Sequence, residues 1–194
     1  MIDAQPTEKL YLSCADTAKL VRKALKREFP GVKFSVRSSN YAGGASIDVR
    51  WTDGPTSKQV DPVLNAFEGA GFDGMIDLKY HVETWLLPDG SVAPAYSVGT
   101  EGSRGVDEGY AYAPPAGAEL VHLGADFVQG QRESSREALE QAIDETCAYW
   151  GIEDRPVIVD GKFGGFYLGN DTLVKNANDY SARLVYRHAQ ETAR

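Results

Sequence analysis

The residues suited by type to catalysis or metal binding are few: two cysteines, three histidines and a scatter of aspartates. Cys14 stands at the predicted start of a helix, a position that lowers a thiol pKa, but no sequence signal puts a histidine base beside it. Cys147 falls on the apolar stripe of a later helix and reads as a packed thiol. The Cys14 and Cys147 pair has no C-x-x-C spacing, and His81, His122 and His188 show neither H-E-x-x-H nor a Cys/His ligand pattern, so zinc is not indicated. Asp48, Asp53, Asp73 and Asp77 could be imagined around a hard cation, which takes several oxygen ligands. Two of them sit in Asp-Gly turn pairs, however, and the spacing of the four is not that of a known ligand loop. There is no G-x-S-x-G elbow, Walker loop or kinase signature. Gly161-Lys-Phe-Gly-Gly-Phe-Tyr-Leu-Gly169 is glycine-rich but lacks G-x-G-x-x-G order, and reads as a hairpin turn rather than a dinucleotide cradle. The expectation is a protein that is not an enzyme, with no metal and no cofactor.

The elements that would position a binding surface must fit a chain of 194 residues, which is one domain or two small ones. Its composition is 42% hydrophobic and 25% charged, that of an ordinary globular protein. The formal charge of −8 argues against wholesale wrapping by nucleic acid. That charge is uneven: residues 1–60 carry ten basic and six acidic side chains, whereas residues 61–194 carry ten and twenty-two. Such asymmetry suggests two faces or modules with different partners. No apolar run approaches the roughly 18 residues of a membrane span. The first residues lack the pattern of a secretory signal. A cytoplasmic, reduced protein is therefore expected.

Residues 10–95 read as one module. Ser13 and Asp16 cap a helix that Pro30-Gly31 stops. Leu20, Val21, Ala24, Leu25 and Phe29 form its inner stripe, and Lys19, Arg22, Lys23, Lys26 and Arg27 its basic outer face. Val32–Ser38 and Ser46–Trp51 alternate with period two, so they read as strands of a hairpin turned around Gly43-Gly44. Thr56 or Ser57 caps a second helix running to about Gly69, with Val60, Val63, Leu64 and Phe67 buried. Phe72–Met75 reads as a turn, followed by a third strand from about Met75 to Leu87. The order helix-strand-strand-helix-strand gives an α+β module with an antiparallel sheet.

Tyr41-Ala-Gly-Gly-Ala-Ser-Ile-Asp-Val-Arg-Trp-Thr-Asp-Gly-Pro55 and Phe72-Asp-Gly-Met-Ile-Asp77, with the opening Tyr11–Leu25, resemble the twenty-ninth of the large polyvalent protein-associated domains. The resemblance covers roughly residues 10–90. It implies a mobile-element context of phages, plasmids and integrative elements, whose proteins protect the incoming element or manage its DNA, and it implies no catalytic mechanism. In structural terms, Asp53-Gly54 and Asp73-Gly74 read as turn pairs, and Trp51 and Phe72 as anchors of those turns against the core.

Residues 96–118 are rich in Gly and Pro and read as a connector, with a short strand at Tyr110–Tyr112. Residues 119–194 read as a second α+β region: a strand over Leu120–Val128, a helix from Ser134 or Ser135 to Trp150, a hairpin of Val157–Val159 with Gly164–Leu168, and a last helix from about Asn178 to Thr192. Ser134 and Glu137 have the spacing of a capping box.

Two functional readings follow. The first is a counter-defence inhibitor of anti-CRISPR type. Its acidic surface would compete for a cationic channel of a host defence complex such as a CRISPR effector, with Tyr96, Asp107, Glu108, Tyr110 and Tyr112 at the interface. The second is a nucleic-acid-binding accessory protein using Arg22, Lys26, Lys33, Arg37 and Arg50 along a phosphate backbone and Tyr41 as a stacking base platform.

Overall fold

The computed structural model describes residues 9–95, 112–151, 153, 155, 157–160 and 166–168. The expected Tyr110–Tyr112 strand lies partly outside them, and the last helix wholly so. Tyr112 itself is not in a strand.

The chain divides into two compact units. The first holds the residues up to Arg50 together with Lys58–Gln131, and the second holds Trp51–Ser57 and the chain from Arg132 onward. These bounds cut the sequence at other places than 95 and 119. The reason is pairing: strands from both sides of the expected connector share sheets. The fold class is α+β.

Mostly in the first unit, β1 (Leu10–Tyr11) is followed by α1 (Cys14–Glu28), β2 (Ser35–Tyr41), β3 (Gly44–Thr52) and α2 (Ser57–Asn65), with the last two residues of β3 and the first of α2 assigned to the second unit. Next come β4 (Ala70–Asp73), β5 (Leu78–His81), β6 (Glu83–Leu86), β7 (Val92–Pro94), β8 (Glu119–His122) and β9 (Phe127–Glu133). Ser13 is the N-cap of α1: its Oγ accepts from Asp16 N–H at 3.1 Å and donates to the Asp16 carboxylate at 2.6 Å. Ala18, Val21, Ala24 and Leu25 are buried, and α1 lies along β2. Residues of β2 and β3 pair across the hairpin, buried Val36 with buried Val49 and exposed Ser38 with buried Ile47. The strand β2 runs to Tyr41, so the expected seven-residue loop shrinks to Ala42-Gly43, with Gly43 at a φ of 90°. The first four-stranded sheet has the order β1-β8-β6-β7, in which β1 runs parallel to β8 and the other pairs are antiparallel. A second sheet has the order β2-β3-β9, and β4-β5 stands as a two-stranded ribbon.

Three expectations change. The single strand from Met75 to Leu87 is two strands, β5 and β6, and Phe72 belongs to β4 with the turn moved to residues 74–77. The strand over Leu120–Val128 breaks between β8 and β9, because the chain bends at Leu123–Asp126. There, Gly69 N–H donates to Ala125 O at 2.7 Å, and Gly124 N–H donates to Thr17 Oγ1 at 3.1 Å. The helix α2 stops at Asn65, short of Gly69.

In the second unit, Trp51 is buried and its Nε1–H donates to Pro55 O at 2.8 Å. Asp53 takes a left-handed φ of 57° and its carboxylate accepts from Ser135 N–H at 2.7 Å. The helix α3 (Arg136–Trp150) buries Leu139, Ala142, Ile143 and Cys147. Its N-cap is Ser135, whose Oγ accepts from Ala138 N–H at 3.1 Å. The expected Ser134–Glu137 capping box therefore sits one residue out of register. Ser135→Ala is expected to cost about 1 kcal/mol, seen as a lower thermal midpoint, whereas Ser134→Ala is expected to have no such capping cost. The strands β10 (Ile158–Asp160) and β11 (Phe166–Leu168) form the expected antiparallel hairpin.

Candidate functional site

The basic face exists but is partly committed. Arg22, Lys26, Lys33, Arg37, Tyr41 and Arg50 are all exposed. The Arg22 guanidinium donates to Val36 O at 2.7 Å, which ties α1 to β2. Arg37 stands opposite Asp48 in the ladder, and Arg50 opposite Ser35. The Tyr41 ring lies over Gly44, and the Asp126 carboxylate reaches the same glycine. That carboxylate accepts from Ala45 N–H at 3.2 Å and pairs with Lys79 at 2.8 Å. Burial pushes the Asp126 carboxyl upward, but the Lys79 and Ala45 hydrogen bonds outweigh it and hold it below its ordinary range. The Asp126–Lys79 ion pair thus sits beside the stacking platform.

Of the expected aromatic and acidic interface, Tyr96, Asp107, Glu108 and Tyr110 lie outside the described residues. Tyr112 keeps an exposed ring on a pinned backbone: its N–H donates to Ala95 O at 2.8 Å, and its carbonyl accepts from Trp85 Nε1–H at 3.3 Å. Trp85 in turn packs with Ala95 and Leu120.

The four aspartates do not converge. Asp48 faces Arg37 across the ladder, Asp53 receives Ser135, and Asp73 accepts from Met75 N–H at 2.9 Å in an Asx turn. Asp77, not Gly74, takes the left-handed conformation of that turn, at a φ of 53°. The Cys14 thiol is buried and donates to Ser46 O at 3.5 Å. Burial, with a lesser push from Asp126, raises its pKa, so the expected lowering by the helix N-terminus is overturned. Cys147 is buried, and desolvation raises it as well.

Two features were not read from the sequence. The first is a register cluster. Tyr11, His122 and Glu83 are neighbours on adjacent strands. The His122 ring lies 5.6 Å from Tyr11 and 5.2 Å, edge-on, from His81. Lys9 pairs with Glu83 and lies over the Tyr11 ring. Burial, then the charge of His81, lowers the His122 pKa from 6.5. The unfolded chain therefore takes up this proton first as pH falls. The stability linked to neutral His122 is complete above pH 6.5 and declines below it. Replacing His122 by Phe keeps a ring between Tyr11 and His81. The thermal midpoint of that variant is expected to fall less than that of the parent between pH 7 and pH 5.

The second feature is an exposed apolar tip. Phe72, expected as a core anchor, is 58% exposed, and Met75, Ile76 and Leu78 are 85%, 50% and 51% exposed. They lie on the β4-β5 ribbon and its turn. The signal was present in the sequence as Phe72-Asp-Gly-Met-Ile-Asp77, but a single sequence does not tell a buried turn from an exposed one. Exposed apolar clusters of this kind mark interaction sites more often than isolated surface hydrophobes do.

No helix among the described residues is long and apolar enough to cross a membrane. Against known proteins, the model of the family described as large polyvalent protein associated domain 29 matches residues 12–135, well past the expected limit near 90. The extension takes in β8 and β9, which complete the two larger sheets. No curated protein and no solved structure matches the chain.

Proposed function

The chain belongs to the family of large polyvalent protein associated domain 29, a mobile-element-associated family, and from that premise we propose that it is a non-enzymatic counter-defence protein of anti-CRISPR type. In this reading it works in the host cytoplasm by binding a host defence complex and blocking it. The observation that carries the reading is the ordered apolar tip of the β4-β5 ribbon, since four large hydrophobes held out of the core suit a surface that is covered by a partner. The excess of acidic residues after position 60 supports it, because negative charge steers a protein toward channels built for nucleic acid.

The test is to express the full chain in a bacterium with an active CRISPR system, challenge it with a targeted plasmid, and purify the chain after nuclease digestion. Restored plasmid establishment and a stoichiometric effector subunit that survives nuclease are expected. Bound DNA or RNA without a protein partner, lost on Arg37→Glu with Arg50→Glu, overturns the reading in favour of the nucleic-acid accessory.

A further inference from the structure

The sheet of order β2-β3-β9 has a buried side and an exposed one. Val36, Val49 and Val128 are buried on the inner side, and α1 packs along β2. Side chains alternate along a strand, so the residues between these share the outer side. There, register sets Arg37 opposite Asp48, Ser39 opposite Ser46 and Tyr41 opposite Gly44. The side continues on β9 with Phe127, Gln129 and Gln131, all exposed. Two aromatic rings stand at one end of it, Tyr41 at 49% exposure and Phe127 at 36%. The Tyr41 ring lies over Gly44, where a Cβ would come within 2.9 Å of it, so glycine is what lets the ring lie there. Phe127 follows Asp126, whose N–H donates to Ala45 O at 2.8 Å. The rings therefore flank the start of β3 from its two neighbours, on strands about 10 Å apart. Between them β3 presents Gly44 and Ser46, which are small. Toward the other end lie Arg37 and Arg50, with Lys33 two residues before β2 begins. Among the described residues these three cations make no ion pair, and they stand against the single carboxylate of Asp48. The Asp126 carboxylate is compensated by Lys79 at 2.8 Å.

Exposed rings on an open sheet stack with unpaired bases, because every base has a π-face, and cations along the strands take the phosphates. A duplex keeps its base faces within its own stack and offers such rings nothing. A protein partner is anchored by a desolvated apolar centre, whereas the centre of this side, at Arg37, Asp48, Ser39 and Ser46, is polar. A lipid surface takes apolar side chains ringed by cations, and here rings and cations are at opposite ends. We infer that the outer side of β2-β3-β9 is a platform for single-stranded nucleic acid, with bases stacked on Tyr41 and Phe127 and phosphates held by Arg37 and Arg50. The basic face of α1 points away from this side of the sheet and takes no part. The inference goes beyond the counter-defence reading and does not depend on it.

The test is fluorescence anisotropy of the full chain with labelled single strands of about 12 nucleotides, DNA and RNA, and with the matching DNA duplex. Saturable binding of at least one kind of single strand is expected, about tenfold or more tighter than binding of the duplex. Tyr41→Ala and Phe127→Ala are each expected to weaken it about fivefold or more, while Tyr41→Phe and Phe127→Tyr, which keep a ring, change it less than about twofold. Arg37→Gln with Arg50→Gln is expected to make the salt dependence shallower by about two phosphate contacts. Lys23→Gln on α1 and Tyr149→Ala on α3 are controls that leave affinity unchanged. All the replaced side chains are exposed, so the variants should melt with the parent. Ultraviolet crosslinking of a bound strand to the unaltered chain needs no variant and is expected to map to Tyr41 or Phe127. Failure of both single strands to bind, a duplex bound as tightly, or ring-deleted chains that bind like the parent overturns the platform. So does a loss of binding on Lys23→Gln. A photo-crosslinking residue at Ser39 that captures a protein in the CRISPR-active host, and no nucleic acid, overturns it as well. If the chain blocks interference yet binds no single strand, the counter-defence reading stands and the platform fails. If it binds single strands through Tyr41 and Phe127 but neither blocks interference nor holds a protein, the platform stands and the counter-defence reading fails.

Discussion

Gly69→Ala and Gly124→Ala are each expected to abolish cooperative folding of the first unit, at a cost above about 4 kcal/mol. A Cβ at Gly69 would lie 1.8 Å from Leu123 O, and one at Gly124 would lie 2.2 Å from Leu12 O and 2.8 Å from Cys14 N. These are backbone atoms, so no rotamer change relieves the clash. The same backbone is needed elsewhere. Leu12 N–H donates to His122 O at 3.0 Å, Gly69 N–H donates to Ala125 O, and Val82 N–H donates to Gly69 O at 2.9 Å. Moving any one strand aside to admit a methyl breaks its neighbour's hydrogen bond. Urea unfolding followed by far-ultraviolet circular dichroism checks this: the parent gives a sigmoidal transition, and the variants a gradual one or insoluble protein. A parent-like midpoint for either variant would show that the three segments do not meet as closely as described. Gly74→Ala is the control, because a Cβ there meets open space and φ is not positive.

Thr17→Val is expected to cost about 2 kcal/mol while leaving shape and volume nearly unchanged. Thr17 is fully buried on α1. Its Oγ1 donates to Ser13 O at 3.0 Å and accepts from Gly124 N–H at 3.1 Å. Valine fills the same space but leaves the Gly124 N–H without that acceptor, in a position where water has no ready access. Thr17→Ser keeps the hydroxyl and loses only a methyl, so it is expected to be the milder change. Denaturant midpoints of the two variants against the parent decide the matter. A serine variant weaker than the valine variant would mean that packing, not the hydrogen bond, holds Thr17 in place.

Both predictions concern the bend between β8 and β9, a stretch that local pattern alone predicts to be one strand over Leu120–Val128. The local pattern there is largely apolar, and alternation carries no information about Gly69, 56 residues upstream of Ala125, or Thr17, 107 residues upstream of Gly124. The lone Gly124 was the available sign of a close backbone approach. The same limit explains Phe72. An aromatic beside Asp-Gly reads as a turn anchor, and its exposure depends on whether another layer covers the ribbon. The fate of Cys14 was decided in the same way: its place at the start of α1 was legible, but the burial that raises its pKa comes from the fold around it.

Within single elements the sequence determined a good deal. The helix α1 begins at its Ser13 cap and ends before Pro30-Gly31 because capping and proline geometry act over three or four residues. The hairpin β2-β3 has Ile47, Val49 and Trp51 turned inward because period-two alternation sets a face wherever it occurs. The β10-β11 hairpin followed from the same local rules, as did the α+β class, and the family motifs were visible as strings. Only the tertiary structure decided which strands pair across the chain, that His81, His122 and Tyr11 come together, and that Phe72, Met75 and Ile76 are exposed while Asp73 between them is buried. Those outcomes depend on long-range strand register and on the competition of many apolar surfaces for one core, quantities that no short window of sequence contains.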